Sequence, residues 1–167
     1  MARVLIVGGG CRGRRLAGAL VSEGHAVRVT TRSEQGRAAI EAAGAECWVG
    51  TPDRLATLRG ALDSVTVLCW LLGSATGTED DLEALFTTRL EYFLTQAIDT
   101  TVRGFIYEAS GTSTPPELLA QGRETVRMLT QRNQIPAAYL EDDLDDLDGW
   151  LASARAAVSS LLGGVPN

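Results

Sequence analysis

Short, continuously apolar runs alternate with longer amphipathic stretches along the whole chain. The first run, RVLIV at 3–7, has the unbroken apolar character of a strand buried on both faces of a parallel sheet. The segment from about Cys11 to Ser22 places Leu16, Ala17, Leu20 and Val21 on one helical face, and Gly24 ends it. AVRVTT (26–31) predicts a second strand. SEQGRAAIEAAG (33–44) predicts a helix with Ser33 as its N-cap and Gly44 as its stop. AECWV (45–49) reads as the third strand, TPDRLATLRGAL (51–62) as a short helix capped by Asp53, and SVTVLCWLL (64–72) as the fourth strand.

Residues 73–100 open as a Gly/Ser/Thr loop and continue as one long helix, whose acidic first turn suits the positive end of a helix dipole. VRGFIYEAS (102–110) predicts a fifth strand, residues 118–133 a helix and IPAAYLE (135–141) a sixth strand. An amphipathic helix at about 144–162 closes the chain, with Leu144, Leu147, Leu151, Ala154, Val158 and Leu161 on its apolar stripe. That stripe either packs on the chain's own sheet or pairs with a second subunit in a homodimer. The prolines at 52, 115, 116, 136 and 166 fall in predicted loops or at strand edges, in keeping with these boundaries. Six strands alternating with helices predict an α/β fold of three layers. Its doubly wound parallel sheet is expected in the order 3-2-1-4-5-6, with a ligand crevice at the carboxyl ends of strands one and four. The length corresponds to a single domain over 1–167.

Gly8, Gly10 and Gly13 satisfy G-x-G-x-x-G between the first strand and the first helix. In that context Gly8 permits the tight turn and Gly10 lets backbone approach a pyrophosphate. Gly13 allows close packing of helix on sheet, and the helix N-terminus offers free N–H groups to the anion. The alternative is a glycine-rich turn without a ligand. An NAD site usually carries an acid at the end of the second strand, to bond the ribose 2′-hydroxyl. Here VTTRS (29–33) has none, and Arg32 stands 19 residues after Gly13. A guanidinium there suits a 2′-phosphate, and Arg12 within the loop adds a second positive group. This predicts NADP(H) in preference to NAD(H), against the alternative of Arg32 as a solvated strand-end residue.

Net charge is −6, which argues against nucleic acid or an anionic membrane as partner. No apolar run reaches the length of a membrane span, and the first residues lack the pattern of a signal peptide, so a cytoplasmic location is expected. Cys11, Cys47 and Cys69 are odd in number and form no CxxC pair, so neither a metal site nor a disulfide framework is expected. All 15 basic residues are arginine. With the bias to Ala and Gly, this points to a GC-rich bacterial genome.

VGGGCRGRRLAGALVSEGHAVRVTTRS (7–33) resembles the first unit of the atypical and extended short-chain dehydrogenase/reductases, which include epimerase/dehydratase-like and nitrogen-regulator-like NAD(P)-binding proteins. GTPDRLATLRGALDSVTVLCWLLG (50–73), VRGFIYEAS and RETVRMLTQRNQIPAAYL (123–140) are similar to later parts of that family, so the likeness covers roughly residues 3–140. The resemblance implies a Rossmann-type fold with a phosphate loop at Gly8, Gly10, Cys11, Arg12 and Gly13, and Arg32 at the adenosine ribose. It implies that Leu71, Leu72 and Gly73 line the nicotinamide half, with Ser110 or Thr112 as a hydroxyl beyond the fifth strand. Thr51 stands where many relatives have an aspartate near adenine. Active relatives use a Tyr-x-x-x-Lys pair; aligning on RETVRML brings Pro116 and Ala120 to those positions, and a chain without lysine cannot supply the second member. Standard reductase chemistry, a Walker A loop and Schiff-base catalysis are disfavoured together.

Other chemistry is sparse. His25 is the single histidine and lies in a turn predicted at the far end of the sheet from the crevice. Asp142, Asp143, Asp145, Asp146 and Asp148 read as the solvated acidic start of the last helix. Cys11 at a helix N-terminus is either a reactive thiol or a small residue filling a crowded loop. Three functions stay open. The first is an NADP(H)-binding module that senses cofactor or works with a partner, in keeping with the little chain left after the sixth strand for a substrate domain. The second is a small NADP-dependent oxidoreductase or epimerase-like enzyme in which Ser110, Tyr107 or water handles protons. The third is a scaffold that binds no nucleotide. The catalytic residues are unknown at this level.

Overall fold

A computed structural model describes residues 2–112 and 114–163. Ser113, Pro166 and the end of the chain lie outside the described residues. The strands are β1 (Arg3–Gly8), β2 (Ala26–Thr31), β3 (Glu46–Val49), β4 (Val67–Leu71), β5 (Gly104–Glu108) and β6 (Ala137–Leu140). All pairings are parallel and the sheet order is β3-β2-β1-β4-β5-β6, the doubly wound arrangement expected from the alternating pattern.

Helices cover both faces because the central strands β1 and β4 are apolar on both, while β2 turns Val27 and Val29 to one side and Arg28 and Thr30 to the other. Leu5, Val7, Leu68, Trp70, Phe105 and Tyr107 point to one side, under α3 (Glu79–Phe86), α4 (Thr88–Ile98) and α5 (Pro116–Arg132). Val4, Ile6, Val67, Cys69 and Ile106 point to the other, under α1 (Gly10–Ser22), α2 (Arg37–Ala42) and α6 (Leu147–Gly163). α5 starts with Pro116 in its first turn, where the missing N–H leaves nothing unsatisfied.

Several local expectations are corrected, and of the two roles open to the α6 stripe the structure shows packing on the sheet. The long helix is two, because Thr87 leaves helical geometry (φ −125°, ψ −96°) and its hydroxyl donates back to the Glu83 carbonyl at 2.7 Å. Ser33 makes no capping bond, and residues 34–42 divide into a short 3-10 turn and α2. Asp53 caps nothing: 51–62 holds two 3-10 turns, and the carboxylate is held by arginines instead. The apolar stripe of α6 lies on its own sheet, with Trp150, Ala154 and Val158 buried and Leu144, Leu151 and Leu161 at their margin. That face is occupied within the chain and is not free for a second subunit. Most of the acidic cluster precedes α6; only Asp148 is in its first turn, while the Asp146 carboxylate accepts from the Gly149 N–H at 3.0 Å.

Candidate functional site

β1 delivers its last residues to the carboxyl edge of the sheet between β2 and β4, where α1 begins. The turn needs three successive left-handed residues: Gly8, Gly9 and Gly10 have φ of +82°, +85° and +51°. A Cβ at Gly8 would lie 2.4 Å from Leu72 Cδ2, and one at Gly9 2.9 Å from Gly13 Cα. At Gly13 it would lie 2.7 Å from the Gly8 carbonyl oxygen, so this glycine sets the close approach of helix to strand. Gly10 differs, since a Cβ there would meet open space.

No side chain caps α1, and no acid stands in its first turn. The first-turn N–H groups and the positive dipole end therefore face outward, ready for an oxyanion. A cleft of about 470 Å³ opens in front of them, lined by residues 8–12, Arg32, Leu71, Leu72 and residues 74–76. Seven expected residues meet there: Gly8, Gly10, Cys11, Arg12, Arg32, Leu71 and Leu72. Three do not line it. Gly13 packs beneath the loop, while Gly73 and Ser110 lock the ends of β4 and β5 together; a Cβ on Gly73 would lie 1.9 Å from the Ser110 carbonyl oxygen.

Both arginines of the cleft have internal partners. Arg12 donates to Ser74 Oγ at 2.7 Å and reaches Glu108 Oε1 at 3.5 Å, with its guanidinium 5.5 Å from the centre of the Trp150 ring. Arg32, with its side chain 62% exposed, contacts Asp53 Oδ2 at 3.2 Å. Glu108 is completely buried. It also accepts from the Gly73 N–H at 2.8 Å and Trp150 Nε1 at 3.0 Å. Desolvation is the largest influence and holds its pKa above the ordinary value, against the opposing pull of Arg12 and the two N–H donors.

Gly9, Ser74, Ala75 and Thr76 line the cleft without having been singled out in the sequence, and Glu108 and Trp150 support it from below. One signal existed for Glu108. It continues the face of Gly104 and Ile106 along β5, at a place where an apolar residue is expected.

The hydroxyl of Tyr107 donates to the Leu119 carbonyl at 2.8 Å within the core, and burial raises its pKa. It cannot serve the cleft as a proton carrier. Ser110, half-buried, and Thr112, exposed, lie on the strap after β5, tied by the Thr112 N–H to the Gly73 carbonyl at 3.1 Å. Pro116 and Ala120 line a separate recess of about 180 Å³ with Ala109, Leu119 and Arg123. His25 sits in the α1–β2 turn. Cys11 is exposed, whereas burial pushes the Cys69 thiol up to about 12. Among the described residues no cluster of three or more His, Cys, Asp or Glu side chains is placed to hold a metal, and no helix is long and apolar enough to cross a membrane.

No protein-family model and no curated protein matches the chain. Solved structures do match it in fold. Vestitone reductase from alfalfa aligns with a TM-score of 0.63 at 14% identity, over 83% of this chain and 56% of that one. Triphenylmethane reductase from Citrobacter, complexed with NADP(H), aligns at 0.62 and 18%, over 85% and 50%. UDP-glucuronic acid 4-epimerase from Bacillus cereus, in complex with NAD, aligns at 0.62 and 12%, over 82% and 55%. The chain spans about half the length of these structures. The likeness shows the fold alone, a doubly wound parallel α/β sheet of Rossmann type.

Proposed function

We propose that this domain binds a nicotinamide dinucleotide, NADP(H) in preference to NAD(H), and does so without the standard short-chain catalytic pair. The observation that carries the reading is the glycine turn. Three consecutive left-handed residues present an uncapped helix N-terminus to a cleft, and Gly10, the one of those three whose Cβ would meet nothing, lines that cleft. This is the shape a pyrophosphate needs: backbone N–H donors, a favourable dipole and no side chain in the way. The neighbours solved with NADP(H) and NAD support a cofactor of this class.

In this reading the N–H groups of the first turn of α1 receive the pyrophosphate. Arg32 meets the 2′-phosphate, and Leu71 and Leu72 bound the cleft on the β4 side. A bound nicotinamide supplies hydride transfer. Nothing in the chain reproduces the Tyr-x-x-x-Lys pair, because lysine is absent throughout and the core holds the Tyr107 hydroxyl. The domain therefore serves as a cofactor sensor or as a module completed by a partner.

Titration calorimetry of NADP+, NADPH, NAD+ and NADH against wild type and Arg32→Ala tests this. NADP(H) is expected to bind at micromolar affinity with NAD(H) much weaker, and Arg32→Ala to abolish that difference. If none of the four binds to wild type, the turn is purely structural and the reading fails.

A further inference from the structure

Asp53 and Arg89 stand beside the cleft and have no part in the reading above. The Asp53 carboxylate is shared between two arginines from different elements. Arg32, at the end of β2, contacts Oδ2 at 3.2 Å, while Arg89, in the first turn of α4, donates to Oδ1 at 3.1 Å. Arg89 uses the same nitrogen, Nη1, to bond the Pro52 carbonyl at 3.2 Å. Asp53 is fixed in turn by its own loop, its N–H donating to Thr51 Oγ1 at 3.2 Å. All three side chains retain solvent access, at 62% for Arg32, 31% for Asp53 and 27% for Arg89. The cluster carries one net positive charge, distributed as two guanidiniums and one carboxylate.

We infer that Asp53 sets the cofactor selectivity of this site, as a counter-ion that shields Arg32 and the second guanidinium, Arg89, from the 2′-phosphate of the dinucleotide. The inference rests on the NADP(H) reading. A 2′-phosphate is close to dianionic at neutral pH, so it feels every charge in the cluster. A ribose 2′-hydroxyl is neutral and feels little. Removing the carboxylate leaves two unshielded guanidiniums, both able to present several N–H donors to phosphate oxygens. Removing Arg89 leaves Asp53 with Arg32 alone, and the local charge falls to zero. At partly exposed positions such changes correspond to about five- to tenfold in affinity, confined to the phosphorylated cofactor.

The test is calorimetric titration of NADPH and NADH into wild type, Asp53→Asn and Arg89→Gln, with thermal melting to verify that each variant is folded. Asn keeps the shape of Asp53 and one oxygen, which accepts from Arg89, while its amide can donate to Thr51 Oγ1. Asp53→Asn is expected to tighten NADPH about five- to tenfold with NADH changed less than about twofold, and Arg89→Gln to weaken NADPH by a similar factor with NADH again unchanged. Weaker NADPH binding in Asp53→Asn with NADH untouched would mean that the carboxylate organises the arginines, and overturns the shielding role. Equal changes for both cofactors assign the cluster to loop structure and overturn it too. If Asp53→Asn does not fold, Arg89→Gln decides by the same ratio. A wild type that prefers NADPH while neither variant shifts the ratio refutes only this inference. A wild type that binds neither cofactor removes the reading beneath it.

Discussion

Burying a carboxylate costs several kcal/mol unless donors replace its water, and at Glu108 the replacements come from three elements. The backbone after β4 donates through Gly73, α6 through Trp150, and α1 through the longer contact of Arg12. Desolvation outweighs them and raises the folded-state pKa above the ordinary value of 4.5. For an acid, a raised folded pKa means that the native state holds its proton more tightly than the unfolded chain. Stability then falls as pH rises from 4.5 through the folded pKa, and the cost persists above it. Glu108→Gln removes this titration. Wild type should lose stability relative to Glu108→Gln between pH 4.5 and neutrality, as read from urea denaturation at several pH values. A gap that moves in favour of wild type over the same range would contradict the account.

At the scale of elements, α6 is tied to the glycine turn through the indole of Trp150, which is fully buried and bonded to Glu108. Trp150→Ala is expected to cost about 3–5 kcal/mol through the lost packing. Trp150→Phe keeps a ring but removes a donor from a buried carboxylate, for about 1–3 kcal/mol. Equilibrium unfolding should rank them in that order, and a Phe variant as stable as wild type would show that the indole N–H contributes nothing. β1 and β4 were legible in the sequence because burial on both faces leaves a continuous apolar run. The stripe of α6 was legible too, but the helix starts only at Leu147, and its buried line runs through Trp150, Ala154 and Val158. Thr87 gave no warning of a break, since residues on both sides of it, Phe86 and Leu90, belong to one core. The glycine turn was readable because its steric demands are local. The joining of Arg32, Asp53 and Arg89 was not, because ion pairs between separate elements leave no periodic trace along a chain.

For the whole molecule, protection from solvent is graded outward from the centre of the sheet. β4 and β5 are buried at every position, and β1 is buried at Val4, Leu5, Ile6 and Val7. β3 and α2 are largely open, with Cys47 and Ile40 their buried residues. Amide hydrogen exchange should be slowest in β1, β4 and β5, and should reach the rate set by global unfolding there. α2 and β3 should exchange sooner through local opening. Uniform exchange across the sheet would contradict this gradient.

The outermost strands have a further consequence. β3 and β6 are each four residues long, and β3 carries the exposed Glu46. Each outer border therefore offers only a brief unpaired ladder, one of them interrupted by charge, as a template for a neighbouring chain. Among the described residues the sheet tapers at both ends, and concentrated solutions should resist the strand-by-strand growth that leads to fibrils.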